Sequence, residues 1–329
     1  MKDTLDFVVI GAMKAGTTSL FEHLRRHPQL HLPANKEDPF FSHPAAFARG
    51  WDAYIERSFF RADPALKWGT VTGQYMVGGL WNELNSAGDA NFCDERTVPL
   101  RIRERVPDAR LIAILRDPVE RARSYHRMAL LNRWDDRPFE QAIDELLQPE
   151  ALEDSRRHPR QTTGYVTWGE YGRILAGYFD VFPREQMLVT FTDELEQDPT
   201  RLLHRVYEFV GVRTDFVSDS IGVRYRVGAT EQRVRLLGFQ SPLNPWRIQR
   251  ALAGNAVAKQ LWHALPARGR RRIDRVVARA AYEIDLWNRR AGADPVDVDR
   301  VTLERLRAHY APDTHRLAAL LGTDPPWQR

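Results

Sequence analysis

Short, uninterrupted apolar runs alternate along the chain with longer stretches in which apolar residues recur every three or four positions. Uninterrupted runs are typical of strands that a parallel sheet buries on both faces, and the longer pattern is typical of amphipathic helices. Their alternation predicts an α/β fold with a central parallel sheet and right-handed crossovers. The predicted strands cover residues 5–12, 30–32, 68–72, 109–115 and 187–191.

The helical pattern predicts helices between most of these strands and after the last one. Residues 149–163 are polar and charged, which predicts a loop or lid, and residues 212–245 contain the turn residues of an irregular segment. Gly322 predicts the end of a closing helix. The predicted helices cover residues 17–26, 45–60, 99–106, 119–132, 139–147, 168–182, 199–210, 245–265, 270–288 and 313–321.

The segment after the first strand carries the strongest chemical signal. Gly11 and Gly16 bracket a tight turn that ends where the first helical pattern begins. Such a turn directs backbone N–H groups and the positive end of the helix dipole at one point, where an anion binds. Lys14 adds a positive charge, so the sequence predicts a phosphate site, although a glycine-rich turn before a helix also occurs without one. The predicted ligands are Lys14, Ala15, Gly16, Thr17, Thr18 and Ser19.

The position of the lysine bears on which phosphate binds. A nucleotide-hydrolysing P-loop places lysine directly after its second glycine. In this chain Thr17 occupies that place, and Lys14 lies earlier in the turn. The lysine that contacts the terminal phosphates of a nucleotide is therefore missing, and no acidic strand end for Mg²⁺ is evident. An ATP-dependent small-molecule kinase or P-loop NTPase remains an alternative.

A second phosphate motif follows the strand predicted at residues 109–115. Arg116 lies at the end of this strand, Pro118 suits the first position of a helix, and Ser124 lies further along that helix. A guanidinium and a hydroxyl together hold a phosphate dianion well. The sequence therefore predicts that Arg116 and Ser124 converge on a second phosphate. The alternative is a charged helix with ordinary surface arginines.

In these two motifs the chain resembles sulfotransferases that use PAPS (3′-phosphoadenosine 5′-phosphosulfate), especially the bacterial and Golgi carbohydrate type. Lys14 matches their 5′-phosphosulfate loop, and Arg116, Pro118, Arg121 and Ser124 match their R-x-P-x-x-R-x-x-S motif. The resemblance implies a P-loop-like three-layer α/β/α fold with a central parallel sheet and extra C-terminal helices. Further matching blocks lie at residues 36–41, 168–175, 181–191 and 306–327, whereas 224–300 matches poorly.

The resemblance also implies the chemistry. PAPS would be the donor and PAP (3′-phosphoadenosine 5′-phosphate) the product, and no metal is expected. Lys14 would stabilise the leaving phosphate, while Arg116 and Ser124 would hold the 3′-phosphate. The acceptor would be a hydroxyl, or in second place an amine, of a carbohydrate, glycolipid or secondary metabolite. A non-catalytic nucleotide- or polyanion-binding module is the third hypothesis.

The general base is implied by the segment from Lys36 to Phe41, which resembles the family pattern K-E-x-x-[FY]-F. Its glutamate, Glu37, would take the proton of the acceptor hydroxyl. Glu37 could instead form a surface ion pair with Lys36 or Arg25. His31 and His43 lie close in sequence and are reserve candidates for the base.

The chain departs from the family pattern in two places. Val71 stands where the family often carries a lysine that assists transfer. Either Lys67 or an arginine of the C-terminal third replaces it, or the acceptor needs less electrostatic help. The cofactor-capping K-G-R loop is also unclear, and Arg224 and Arg226 are its candidates for cofactor binding. We expect one sulfotransferase domain over residues 1–329, with a PAPS-binding core (1–215), a variable helical insertion on the acceptor side (216–300) and a C-terminal family block (301–329).

Charge and composition indicate which partners and which cellular compartment to expect. The formal net charge is +4, and residues 224–290 contain fifteen Arg or Lys against four Asp or Glu. This excess allows peripheral membrane contact through the basic segment 246–290, whereas no nucleic-acid module is recognisable. Cys93 is the single cysteine, no signal-peptide pattern is evident, and no apolar run reaches the ~18 residues of a membrane span. We therefore expect a cytoplasmic protein.

Overall fold

A single parallel sheet forms the centre of the protein. The structure is a computed structural model that describes residues 2–34, 36–60, 62–79, 95–131, 134–218 and 298–328. Within these ranges five strands pair in the order β2–β3–β1–β4–β5, all in parallel. The predicted parallel sheet is confirmed. The strands are β1 (Phe7–Gly11), β2 (Leu30–His31), β3 (Lys67–Val71), β4 (Arg110–Leu115) and β5 (Met187–Phe191).

Helices occupy most of the described chain between and after the strands. They are α1 (Thr17–Leu24), α2 (Pro44–Ala48), α3 (Trp51–Phe59), α4 (Thr97–Arg105), α5 (Pro118–Leu131), α6 (Phe139–Leu146), α7 (Pro149–Arg157), α8 (Gly164–Thr167), α9 (Tyr171–Phe179), α10 (Thr192–Gln197), α11 (Pro199–Val210) and α12 (Arg300–Leu321). Short 3₁₀ turns lie at Gly73–Val77, Arg184–Gln186 and Pro326–Gln328. None of the described helices combines the length and apolar character needed to cross a bilayer.

The sheet is covered by helices on both faces, because its strands alternate apolar side chains between two buried clusters. Helices α1 and α11 pack on one face, where the cluster includes Phe7, Val9, Leu20, Ile112, Leu202 and Val206. Helices α5, α9 and α12 contribute to the other face, where the cluster includes Val8, Leu111, Tyr125, Leu175, Leu306 and Leu317. The predicted three-layer α/β/α architecture is therefore confirmed.

The strand order identifies where a ligand binds in such a sheet. From β1 the chain continues to β2 and β3 on one side, and later to β4 and β5 on the other. In an open parallel sheet, the change of direction opens a crevice beyond the carboxyl ends of the strands. Here the crevice lies beyond β1 and β4, which pair directly. Both phosphate motifs predicted from the sequence follow these two strands.

Three predicted segments differ from the structure. The helix predicted at 45–60 is two helices, because Gly50 between them has φ +90°. The loop or lid predicted at 149–163 begins with α7, in which Pro149 occupies the first turn and Arg156 and Arg157 the last. Those positions suit a helix start and the negative end of a helix dipole, although α7 has little apolar surface.

The third difference is the closing helix, predicted at residues 313–321, which is longer in the structure. Helix α12 instead starts at Arg300 and continues through Pro312. Tertiary contacts stabilise it: the Asp313 carboxylate accepts hydrogen bonds from Gly172 N at 2.7 Å and Arg173 N at 2.8 Å, at the start of α9. The predicted end at Gly322 is confirmed, with φ +70°.

Several predictions fall on residues that the structure does not describe. These are the helices at 245–265 and 270–288, most of the irregular segment 212–245, the basic segment 246–290, Cys93, Arg224 and Arg226. They stay sequence predictions.

Gly69→Ala is expected to destabilise the fold by roughly 1–3 kcal/mol, because it overpacks the core. A Cβ at Gly69 would lie 2.1 Å from Cζ of Phe7, its fully buried partner on β1. Gly177→Ala is the matched control: nothing lies within 4 Å of the added Cβ, in helix α9. It should stabilise by up to ~1 kcal/mol. Urea unfolding of both variants checks this, and equal midpoints would contradict it.

Candidate functional site

The loop between β1 and α1 has the backbone of an anion site. Lys14 has φ +69° and Gly16 has φ +95°, so two nearby residues adopt left-handed conformations. A non-glycine residue in this conformation is strained, and such strain concentrates at functional sites. Alternation of conformation turns successive N–H groups toward one side and forms a concave anion site. The first N–H groups of α1 lack carbonyl partners within the helix and add donors beside it.

The side chain of Lys14 contacts α5, the helix that carries Ser124. The ammonium nitrogen Nζ of Lys14 is 3.7 Å from Sδ of Met128. Met128 lies one turn after Ser124, and residues four apart on a helix are neighbours, with Cβ atoms about 6 Å apart. The side chain of the first phosphate loop therefore reaches the helix face that carries Ser124. The structure thus places Lys14 against the helix that carries Ser124.

Arg116 is fixed by the structure around its backbone. Oη of Tyr171 donates to its carbonyl at 3.0 Å, and Oδ1 of Asp117 accepts from Val119 N at 2.8 Å, which caps α5. Burial raises the pKa of Tyr171 to about 12, so its hydroxyl keeps the proton that it donates. Burial also raises the pKa of Asp117, whereas hydrogen bonds from the backbone N–H groups of Glu120 and Val119 lower it. The Arg116 side chain, 33% exposed, is accessible at this edge.

Arg121 matches the second motif but does not reach the crevice. Its side chain is fully buried, and Nη2 donates to the carbonyl of Tyr165. Burial raises the pKa of Tyr125 of α5 and of Tyr310 of α12, and the positive charge of Arg121 lowers the pKa of both hydroxyls against that larger effect. The motif therefore combines ligand candidates, Arg116 and Ser124, with a core residue. Sequence spacing alone does not separate these two kinds.

The segment that contains Glu37 is anchored against the end of β3. Oγ1 of Thr72 donates to the Asp38 carbonyl at 3.0 Å, and Oη of Tyr75 donates to the same carbonyl at 2.6 Å. The Asp38 carboxylate accepts from Arg57 Nη2 at 2.6 Å. These contacts bring residue 37 to the carboxyl edge of the sheet.

Glu37 lies beside the first phosphate loop. Its Oε2 accepts from Gly73 N at 3.2 Å, and its Oε1 forms an ion pair with Lys36. A Cβ on Gly73 would lie 3.3 Å from Cγ of Met13, the residue before Lys14. The Glu37 side chain is 51% exposed. The pairing with Lys36 is thus present, and the Glu37 side chain stays half-exposed beside the end of β3.

Other candidates lie elsewhere. Lys67 cannot replace the family lysine, because it begins β3 and its Nζ donates to Asp6 Oδ1 at 2.9 Å, at the opposite edge of the sheet. Val71 itself is buried in the core. His31 packs against Phe59, His43 caps α2 by accepting from Ala46 N, and Arg25 pairs with Glu22.

Sequence reasoning missed Thr192, the first residue of α10. Its Oγ1 lies 2.8 Å from the Ala15 carbonyl and 3.0 Å from the Leu115 carbonyl. It therefore connects the first phosphate loop to the end of β4. The available signal was its position directly after β5, at the same edge of the sheet as both motifs. Within the described ranges, we find no group of three or more His, Cys, Asp or Glu residues that could hold a metal.

Comparison with known proteins agrees with this geometry. The family described as "Sulfotransferase domain" matches residues 4–223. The chain is 28% identical over 213 residues to human heparan sulfate glucosamine 3-O-sulfotransferase 3B1, covering 63% of this chain and 46% of that protein. It is 27% identical over 210 residues to human bifunctional heparan sulfate N-deacetylase/N-sulfotransferase 3, covering 63% and 22%. The chain thus spans less than half the length of these curated relatives.

A solved structure shows the same fold. The crystal structure of a sulfotransferase from Alicyclobacillus acidocaldarius superposes with a TM-score of 0.64 at 22% identity, and the match covers 99% of each chain. The family match covers most of the chain and includes both phosphate motifs and Glu37. The resemblance inferred from those motifs is confirmed, and the chain belongs to the sulfotransferase family.

Proposed function

We propose that this chain transfers a sulfuryl group from PAPS to a hydroxyl, or in second place an amine, of a carbohydrate, glycolipid or secondary metabolite. One observation carries the proposal: two phosphate motifs follow paired strands, and Lys14 of the first reaches the helix face that bears Ser124 of the second. A donor with phosphates at both ends of one nucleoside fits such a pair. The family match supports the same donor.

Different residues bind the two phosphates of the donor. The backbone N–H groups from Gly16 to Ser19 bind the 5′-phosphate, assisted by the hydroxyls of Thr17 and Thr18, because this loop has the left-handed turns of an anion site. The N–H of Ala15, which the sequence also predicts as a ligand, donates to the Ala12 carbonyl at 3.2 Å in this structure. Arg116 and Ser124 bind the 3′-phosphate through charge-assisted hydrogen bonds. Arg224 and Arg226 remain sequence predictions for the cover of the donor.

PAPS, when bound, supplies a sulfuryl group that is activated by its bond to phosphate. Glu37 accepts the proton of the acceptor hydroxyl as the acceptor oxygen bonds to sulfur. The sulfur–oxygen bond to the 5′-phosphate breaks in the same transfer, so that a sulfate ester and PAP result. Lys14 stabilises the negative charge that this cleavage places on the phosphate oxygen. As in phosphoryl transfer, positioning and electrostatics supply most of the rate.

The acceptor proposal rests on the relatives. The two human proteins are named for heparan sulfate and one for its glucosamine, which supports a carbohydrate acceptor for this chain. The half-exposed Glu37 beside the loop gives such an acceptor access to the base.

Two measurements test the function. PAP should raise the unfolding temperature of the purified chain, whereas ATP with Mg²⁺ should not. Labelled PAPS should then pass its sulfuryl group to a member of an acceptor panel that includes a heparan sulfate oligosaccharide, a glycolipid and simple alcohols, with an added SO₃ detected by mass. Protection by ATP and Mg²⁺ alone would favour a kinase or NTPase. PAP binding without any transfer would favour a non-catalytic module.

Arg116→Gln is expected to weaken binding of adenosine 3′-phosphate roughly 30- to 100-fold, because it removes charge-assisted hydrogen bonds to the 3′-phosphate. Binding of adenosine 5′-phosphate should change little. Arg103→Gln is the matched control, since Arg103 donates to the Pro107 carbonyl ahead of β4, at the other edge of the sheet. Calorimetric titration of each variant with both nucleotides checks this. An equal loss for both nucleotides would contradict the assignment.

A further inference from the structure

Thr192, at the start of α10, contacts the centre of the first phosphate loop. It begins α10 directly after β5, and β5 pairs with β4 in a register that places Leu115 beside Phe191. Its hydroxyl lies within hydrogen-bonding distance of two carbonyls, Ala15 O at 2.8 Å and Leu115 O at 3.0 Å. Because it shares its proton between these two carbonyls, the Thr192 hydroxyl connects the loop after β1 to β4, the strand that leads into Arg116.

The bond to Ala15 has a consequence for the next residue. The carbonyl of Ala15 and the N–H of Gly16 belong to one planar peptide unit, in which a trans bond points them in opposite directions. Fixing the carbonyl oxygen against Thr192 therefore fixes the direction of the Gly16 N–H. The Gly16 N–H lies in the turn that the left-handed residues Lys14 and Gly16 form. In such a turn successive amides point toward one side, where an anion can bind.

Packing supports the same alignment. A Cβ on Gly16 would lie 3.9 Å from Cγ2 of Thr192 and 3.5 Å from Cδ1 of Ile114. The loop thus rests on β4 and α10 at this point and has little room to rotate its peptide planes. Glycine is required at position 16 because its φ of +95° strains any other residue. A flexible glycine needs an external anchor if its N–H is to keep one direction.

We propose that Thr192 is a positioning residue for the donor's 5′-phosphate: its hydroxyl holds the Ala15 carbonyl and thereby directs the Gly16 N–H at that phosphate. This inference rests on the proposed function, since it presumes that the loop binds the 5′ end of an adenosine bisphosphate. It adds the end of β5 to a site that the two sequence motifs confine to β1 and β4.

The test uses three ligands and three variants. Calorimetry measures binding of PAP, adenosine 5′-phosphate and adenosine 3′-phosphate to the full chain. Thr192→Val removes the hydroxyl at nearly constant volume, and Thr192→Ser keeps it. Thr190→Val removes a buried hydroxyl two residues earlier on β5, where Oγ1 contacts Glu194 rather than the loop. Thermal unfolding without ligand shows whether each variant is folded.

Thr192→Val should weaken PAP and adenosine 5′-phosphate about tenfold, the effect of one misdirected hydrogen bond to a charged group, and leave adenosine 3′-phosphate within about twofold. Thr192→Ser and Thr190→Val should bind all three ligands within about twofold of the original chain. Unchanged binding of PAP by Thr192→Val would overturn the inference. So would an equal loss for both mononucleotides, or a loss in Thr192→Ser as large as in Thr192→Val. If the original chain binds none of the three, the proposed function itself fails.

Discussion

Glu37→Gln should lower kcat by about 10²- to 10⁴-fold, the usual contribution of a positioned general base, while PAP affinity stays within about twofold. The amide keeps the size of the side chain and can still accept the hydrogen bond that Gly73 N now donates to Glu37 at 3.2 Å. It cannot take the acceptor's proton. The binding loop and Arg116 are untouched, so the donor should bind as before.

Single-turnover transfer of labelled sulfate and titration with PAP separate these two effects. Glu104→Gln is a suitable control, because Glu104 is an exposed glutamate on α4 that pairs only with its neighbour Arg105 in the described structure. If Glu37→Gln loses PAP affinity in proportion to its rate, Glu37 supports donor binding and another group must be the base. The reserve histidines would then be tested, although His43 caps α2 and His31 packs on Phe59.

Lys14→Met should lower kcat by about 10²- to 10³-fold. It removes the ammonium group that stabilises the negative charge developing on the leaving phosphate oxygen. PAP affinity should also fall, since the product keeps the 5′-phosphate that the lysine contacts. Methionine is preferable to glycine at this position. Like lysine, methionine is strained at φ +69°, whereas glycine would relieve that backbone strain and relax the loop. The change in rate then reports the charge and not the backbone.

Lys67→Met provides the matched control for Lys14→Met. Lys67 pairs with Asp6 at the amino end of β3, so its loss should leave both kcat and PAP affinity unchanged. Transfer rates at saturating PAPS and calorimetric titrations with PAP measure both quantities. Near-normal turnover in Lys14→Met would show that another cation stabilises the leaving group, with the arginines of residues 224–290 as the next candidates.

Position 71 holds a buried valine where the family pattern often has a lysine. Val71 is fully buried among apolar residues of β1 and β4, so a lysine there would be covered in this chain. Lys36 pairs with Glu37 on the segment that Thr72 and Tyr75 hold in place, which makes its ammonium group a further candidate for this cation.

Prediction from the sequence was most successful where the decisive interactions are local. The β1 loop needs left-handed conformations that glycine allows, and a strand followed by Arg-Asp-Pro and a helix places Arg116 at a strand end. Both features depend on a few consecutive residues. The strand periodicity likewise identified the parallel sheet, because burial on both faces leaves apolar runs in the chain.

Prediction was weakest where distant segments decide. Polar content suggested a loop at residues 149–163, but α7 forms there, and Ser155 Oγ lies 2.8 Å from Thr167 Oγ1. The closing helix was predicted only from residue 313, but α12 starts at Arg300 and runs through Pro312, and Asp313 binds the start of α9. Arg121 matched a ligand motif and is buried.

The amino-acid sequence by itself therefore determined the sheet, the two phosphate motifs and the family, since each is encoded in short segments with their own backbone requirements. Only the tertiary structure decided which side chains meet: Lys14 with the Ser124 face of α5, Glu37 with Gly73 beside Met13, and Thr192 with the Ala15 carbonyl. These contacts join residues far apart in the chain. They arise because parallel strands bring their carboxyl ends to one edge, and sequence spacing contains no measure of that distance.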